Sequence, residues 1–298
     1  MQDQKIPSSD SPKDLFIIGL VISMFSWGLS WTSGKILSEY AAPMNISLFR
    51  FALTFLSLLM LLLIIRQPLS IAKKGIGTLI IASLLMTLYS FLFFKGLSIG
   101  KAGAGGVLVT TFNPIVSYLI ALLITKRLPG RNELIGLSIG IVACIILLRA
   151  WVKWDVILNP GNSYFISASI VWAILSLFTA KSSSFGSPVS FSLWLFGISA
   201  LLMLFITNPS DNLTLLQHSD KVFWINMVFS ATITTALATT FYFVATSTLG
   251  ASKASSFIFL VPVSAALGSW IFLKEVPEKH TIAGGLLGII AVYMLNKK

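Results

Sequence analysis

Apolar residues run along the chain in ten blocks separated by short polar breaks. A helix needs about 20 apolar residues to cross roughly 30 Å of hydrocarbon. The blocks lie at Leu15–Leu37, Asn45–Ile65, Gly77–Leu97, Ala102–Ile124, Leu134–Leu148, Tyr164–Ser182, Val189–Ile206, Val222–Ser247, Ala254–Leu273 and Thr281–Leu295. The fifth and tenth are the shortest, and flanking Lys and Arg side chains can bridge the shortfall by snorkelling. Almost nothing is left over for a soluble domain. The pattern predicts an all-α membrane protein with ten transmembrane helices.

Composition strengthens that reading. Only 10% of the 298 residues are charged and 56% are hydrophobic, against about 25% charged in a soluble domain. The net charge of +11 raises the question of nucleic acid, but the 21 basic residues stand in ones to threes at block ends. No basic stripe tracks a phosphate backbone, so the partners expected are a lipid bilayer and a small-molecule substrate, with no nucleic acid. Cys144 is the only cysteine, which rules out an intramolecular disulfide. The polar tail Met1–Asp14 leads into a block long enough to span and without a clear small-residue cleavage site, so it reads as a retained first span. With the N-terminus in the cytoplasm, twelve Lys and Arg fall inside and eight outside, with Arg50 left within a span. That bias places both termini in the cytoplasm.

The halves repeat. An offset of 148 pairs Pro114 with Pro262, Lys126 with Lys274, Pro129 with Pro277, Gly136 with Gly284, Gly140 with Gly288 and Ala143 with Ala291. An offset of 145 pairs Trp27-Gly28 with Trp172-Ala173. A tail over 1–14, a five-helix unit over 15–149, an external loop over 150–160 and a second five-helix unit over 161–298 follow. Five is odd, so the second unit is expected upside down relative to the first. Two inverted repeats are the common build of secondary transporters.

Ser26-Trp27-Gly28 leading to Lys35, Arg50-Phe51, the Pro114 and Pro262 helices, Lys274-Glu275 and the Gly-rich spans five and ten resemble the drug/metabolite transporter superfamily. The chain is most similar to its ten-span, two-repeat EamA-type permeases, over nearly its whole length. Arg127 departs from the pattern, standing where the first repeat of that family often has a Glu like Glu275. The resemblance implies a multi-pass plasma (inner) membrane protein that exports or imports a small metabolite, amino acid or drug-like solute.

Polar groups on apolar spans tend to face a cavity or another helix. Trp27, Trp31 and Lys35 follow i, i+4, i+8 on span one and form an aromatic wall ending in a cation; an interfacial Trp belt with a snorkelling Lys is the plainer alternative. Span eight carries a stripe of Thr232, Thr235, Thr239, Tyr242 and Thr246, and span six carries Ser169, Trp172, Ser176 and Thr179. Tyr89, Lys95, Asn113 and Ser256 complete the candidates for a shared wet path. Pro114 and Pro262 free the carbonyls of Thr110 and Ile258 and are candidate gating points. Ala102-Gly103-Ala104-Gly105-Gly106 reads as close helix packing or gate flexibility. Gly136/Gly140 and Gly284/Gly288 are packing faces, within one protomer or across a homodimer.

Every Asp and Glu lies in a tail, a loop or at a span end, whereas Lys35, Arg50 and Lys95 are unmatched cations in or near spans. Arg50, five residues into span two, reads as a snorkelling anchor. The imbalance favours an anionic or zwitterionic substrate, moved by exchange or facilitated diffusion. No catalytic constellation, metal-ligand spacing or cofactor motif is present, so neither catalytic residues nor a metal are expected. The expectation is an exporter working by alternating access; an intramembrane enzyme and a channel are the rivals.

Overall fold

A computed structural model describes residues 12–126, 128–149, 159–249 and 256–296. The described residues are helical, with no strand among them. The helices are α1 (Pro12–Leu37), α2 (Pro43–Ile64), α3 (Ile76–Ile99), α4 (Ala102–Thr125), α5 (Arg131–Leu147), α6 (Pro160–Thr179), α7 (Pro188–Ile206) and α8 (Pro209–His218). Three segments then follow without a break, α over Lys221–Val228, π over Phe229–Thr239 and α over Thr240–Leu249. Together they form α9. A 3₁₀ turn, Ser256–Phe259, precedes α10 (Leu260–Leu273), and α11 is Lys279–Asn296. Seven helices are long and apolar enough to cross a membrane, and Leu260–Leu273 and Lys279–Ala291 are shorter apolar helices.

Local chemistry sets the ends. Proline opens α2, α6, α7 and α8, where its missing N–H would have had no intrahelical partner. Side-chain oxygens of Asn159, Ser187, Asn208 and Asp220 accept from free N–H groups at the starts of α6 to α9. The polar stretch after span seven, expected as loop, forms α8 because Pro209 and the Asn208 cap nucleate it. Lys126 and Lys274, a pair in the repeat, end α4 and α10 in the same left-handed backbone, with φ of 52° and 59°.

The principal packing pairs are α1 with α9 and α10, α2 with α7 and α9, α3 with α6 and α7, α4 with α6 and α10, and α5 with α11. Exchanging α1–α5 with α6, α7, α9, α10 and α11 in that order returns the same set. In three equivalent pairs, α1 with α6, α2 with α7 and α5 with α11, the contacts run in antiparallel order. Trp31 meets Phe165 while Trp27 meets Trp172. Phe51 meets Phe196 while the carbonyl of Pro68 accepts from Ser190. On α5 and α11, Gly140 faces Ala291 and Gly284 faces Leu147.

Glycine permits the tightest crossings. A Cβ on Gly106 would stand 2.6 Å from Ala265 Cβ and 3.1 Å from Trp31 Cγ, and one on Gly105 would stand 2.6 Å from the Phe165 ring. The Gly-rich start of α4 is therefore a packing surface. Gly140, Gly284 and Gly288 likewise meet side chains of this chain, and Gly136 is buried. The carboxylate of Glu275 accepts from Ala102 N at 3.3 Å and Gly103 N at 3.1 Å, capping α4 from the far side of the repeat. Arg127, its departing counterpart, lies outside the described residues.

Candidate functional site

A cavity of about 100 Å³ lies in the middle of the bundle. Equivalent positions of the two repeats line it: Trp27 with Trp172, Thr110 with Ile258, and Asn113 with Val261. Phe51 and Phe196, related by the same offset as the tryptophans, also line it, with ring centroids 5.1 Å apart.

Its aromatic side is tied together by polar contacts. Trp27 Nε1 donates to Thr239 Oγ1 at 3.1 Å, and the Trp27 ring stands edge-on to Trp172 at 6.3 Å and tilted on Tyr242 at 5.0 Å. Tyr89 sits between Trp172, at 4.7 Å, and Phe93, at 6.0 Å. Asn113 Nδ2 donates to the Ser169 carbonyl at 3.1 Å, joining α4 to α6. Trp31 is buried, in ring contact with Phe93 and Phe165.

The π segment of α9 supplies the hydroxyl side. A π turn carries the hydrogen bond to i−5, and π segments are frequent at functional sites. The hydroxyls of Thr235 and Thr239 each donate to a carbonyl five residues back, Ser230 at 2.7 Å and Thr234 at 3.1 Å. Their oxygens then accept from other helices, Thr239 from Trp27 and Thr235 from Arg50 Nη2 at 3.0 Å. The even stripe read at α-helical spacing is broken by this register. Thr234, Thr235 and Thr239 line the cavity, while Thr232 pairs with Ser57 on α2.

Arg50 differs most from expectation. It lines the cavity, deep among Phe51, Phe93 and Phe94, whose centroids lie 5.8, 5.8 and 5.7 Å from its guanidinium carbon. Its Nε is buried with no hydrogen-bond partner. It is no snorkelling anchor. Its place in the sequence near the start of α2 suggested a shallow position, but Asn45, Ile46, Ser47 and Leu48 before it are themselves buried under α8 and neighbouring helices.

Of the other candidates, Lys35 is half-buried and its Nζ donates to the carbonyl of Leu97 at 2.7 Å, in the last turn of α3. A cation there complements the helix terminus. Lys35 and Lys95 are not among the cavity-lining residues. Tyr242 packs on Trp27 one turn beyond them. Pro114 lies within the continuous α4, whereas Pro262 stands in the first turn of α10, after the 3₁₀ turn that holds Ser256. A first-turn proline removes no ladder bond. Pro262 borders a separate apolar groove between α4, α10 and α11. The side chains of Ser256 and Pro114 lie outside the described residues. Among the described residues, no three His, Cys, Asp or Glu side chains cluster as metal ligands.

At the end holding the α1 C-terminus, one core cluster packs helices of both repeats and includes Trp31, Leu37, Phe93, Phe94, Phe165 and Phe223. Polar contacts overlie it: Ser33 Oγ to the Asn226 carbonyl at 3.0 Å, Tyr40 to Asp220 at 2.7 Å and Asn45 to Asn212 at 2.8 Å. Glu278 adds exposed ion pairs to Lys101 at 3.0 Å and Arg149 at 3.6 Å. Lys101 chiefly holds the Glu278 carboxyl below its ordinary value.

Long apolar helices packed around an internal cavity with a charged and hydroxylated wall define a polytopic integral membrane protein. The chain belongs to the EamA-like transporter family, which matches residues 14–149 and again 159–297, and the protein is a membrane transporter. The sequence repeat is thus two copies of one family domain. Among its relatives in Bacillus subtilis (strain 168), the uncharacterized transporter YoaV is 23% identical over 93% of this chain and 95% of its own. The uncharacterized transporter YyaM of the same organism is 21% identical, covering 96% and 97%. A solved structure described only as "Crystal structure of protein" superposes with a TM-score of 0.60 at 14% identity, covering 96% of both chains, and shares the fold.

Proposed function

We propose that the protein is a ten-span secondary transporter of two inverted five-helix repeats, exporting a small anionic or zwitterionic solute from the cytoplasm by alternating access. The observation that carries this reading is the cavity lining: Trp27 and Trp172, Thr110 and Ile258, and Asn113 and Val261 are repeat-equivalent pairs facing one space. The antiparallel contact order of three equivalent helix pairs and the self-mapping packing pairs support inversion. Two related halves around one central site can exchange conformations and so present that site to either face. The apolar cluster joining both repeats lies at the end carrying Leu37 and Ile99, which the charge bias assigns to the outside; this supports an inward-facing state closed at that end. None of the described lining residues is Asp or Glu, which favours exchange or facilitated diffusion over carboxylate-driven proton symport.

Metabolite profiling of cells with and without the protein, followed by proteoliposome assays of the solute that accumulates in the medium, tests the reading. Uptake should saturate and show counterflow, and Trp27→Ala should abolish both while leaving the protein in the membrane. Uptake linear in concentration without counterflow would overturn it in favour of a channel.

A further inference from the structure

The cavity holds one full positive charge and, among its described lining residues, no negative one. Arg50 carries that charge. A guanidinium has five N–H donors in a planar fork. Arg50 makes one hydrogen bond among the described residues, from Nη2 to Thr235, and no ion pair. The three phenyl rings around it offer their faces to a cation, yet a ring cannot accept along the plane of the fork as a carboxylate does. Thr235 is itself fixed by its bond to Ser230, so it sets the position of the guanidinium without neutralising it.

The charge is also one-sided. The offset of 145 that pairs Phe51 with Phe196 pairs Arg50 with Leu195, a buried apolar side chain. The second repeat therefore brings no matching cation, and one positive group suits one negative group. Beside it stand the flat surfaces of Trp27, Tyr89 and Trp172. Arg50 is part-buried, with its Nε enclosed; an unpaired charge within a membrane protein is costly, and a bound carboxylate would supply the missing counter-charge.

We infer that the substrate is an organic monoanion, a flat apolar or aromatic body bearing one carboxylate, and that Arg50 is its carboxylate-binding residue. This rests on the carrier reading above and narrows it to one chemical class. An α-amino acid fits less well, because its ammonium meets no acid in the cavity.

The test is binding of three probes of one shape to the purified full-length protein, followed by tryptophan fluorescence and calorimetry: 3-phenylpropionate, its neutral amide 3-phenylpropanamide, and phenylalanine. The carboxylate should bind wild type at least about tenfold more tightly than the other two. Arg50→Gln should bring carboxylate and amide within about twofold of each other while the amide still binds, and Arg50→Lys should keep part of the preference. If Arg50→Gln fails to fold, the ranking of the three probes on wild type and on Arg50→Lys decides the inference. The inference is overturned if wild type binds none of the probes, if the amide or phenylalanine binds as tightly as the carboxylate, or if Arg50→Gln lowers both ligands alike. Counterflow of another solute alongside any of those results would leave the carrier standing and remove only the carboxylate site.

Discussion

Two charged residues near opposite ends of the bundle's polarity scale show how position decides what a charge does. Arg50, in the cavity wall, meets rings and one hydroxyl; Asp220, at the rim, meets water and two donors. Its Oδ1 accepts from Phe223 N and from the Tyr40 hydroxyl, both within 2.8 Å. The Phe223 amide first, and then Tyr40, hold the Asp220 carboxyl below its ordinary value, while the bond to Asp220 raises Tyr40. A depressed carboxyl contributes stability that is complete above the unfolded value and disappears as pH falls through the folded one. A raised tyrosine contributes until pH rises past its unfolded value near 10. Tyr40→Phe should therefore lower thermal stability in detergent at about pH 7, and the difference from wild type should shrink as pH falls below the ordinary carboxylate range. A difference that stays constant as pH falls would mean that packing of the ring, not the Asp220 bond, is what is lost. Residue-scale reading of the sequence reached Trp27, Trp31, Tyr89, Asn113, Trp172 and Thr239 as cavity-lining positions because large aromatics and hydroxyls stand out against an apolar span. It could not reach the place of Arg50, since depth in the protein depends on which helices cover its neighbours. Nor could it reach the bond from Lys35 to Leu97, which needs the geometry of α1 against α3.

At the scale of elements, the hydrophobic blocks were legible because a membrane span must be long, apolar and helical to satisfy its own backbone. The π register of α9 was not. Its residues satisfy an α-helical pattern equally well, and only partners on α1 and α2 for Thr239 and Thr235 distinguish the two. The 3₁₀ turn before α10 was equally hidden, so Pro262 looked like an interior proline. Helix crossings were partly legible through glycine. On α1, a Cβ at Gly28 would collide with the Ser264 side chain and stand 2.7 Å from Ala265 N, whereas one at Gly77 on α3 would meet nothing within 4 Å. Gly28→Ala should then cost about 1–3 kcal/mol by forcing α1 and α10 apart. Gly77→Ala should be neutral or stabilising by up to about 1 kcal/mol, through helix propensity alone. Thermal unfolding of the two variants in detergent checks this; equal effects would show that the α1–α10 contact yields more easily than its backbone geometry implies.

At the scale of the whole molecule, the repeat was visible in a few sequence positions, yet its meaning comes from what those positions share. Trp27 and Trp172 meet across one cavity, and Lys126 and Lys274 end their helices in one backbone conformation. Offsets alone could not say that the pairs converge. Closure at one end is also a property of the ensemble of helices: a single apolar cluster bridges both repeats there, under the Ser33–Asn226 and Asn45–Asn212 contacts. A second cluster, around Phe51 and Phe196, also joins the two repeats, while those around Leu20 and Ala245 and around Ile115 and Cys144 are separate from it. If the halves exchange conformations, that closed end must open for solute to leave. The direct measurement uses a Cys144→Ala background with Thr110→Cys as a reporter in the cavity wall and a Ser33→Cys/Asn226→Cys pair across the closed end. Before the pair is bridged by oxidation or a short thiol crosslinker, an impermeant thiol reagent should reach Thr110→Cys from either face of the membrane. After bridging it should reach the reporter only from the face opposite the bridge, and opening the bridge should restore both. Labelling from both faces with the bridge in place, or from one face throughout, would contradict alternating access.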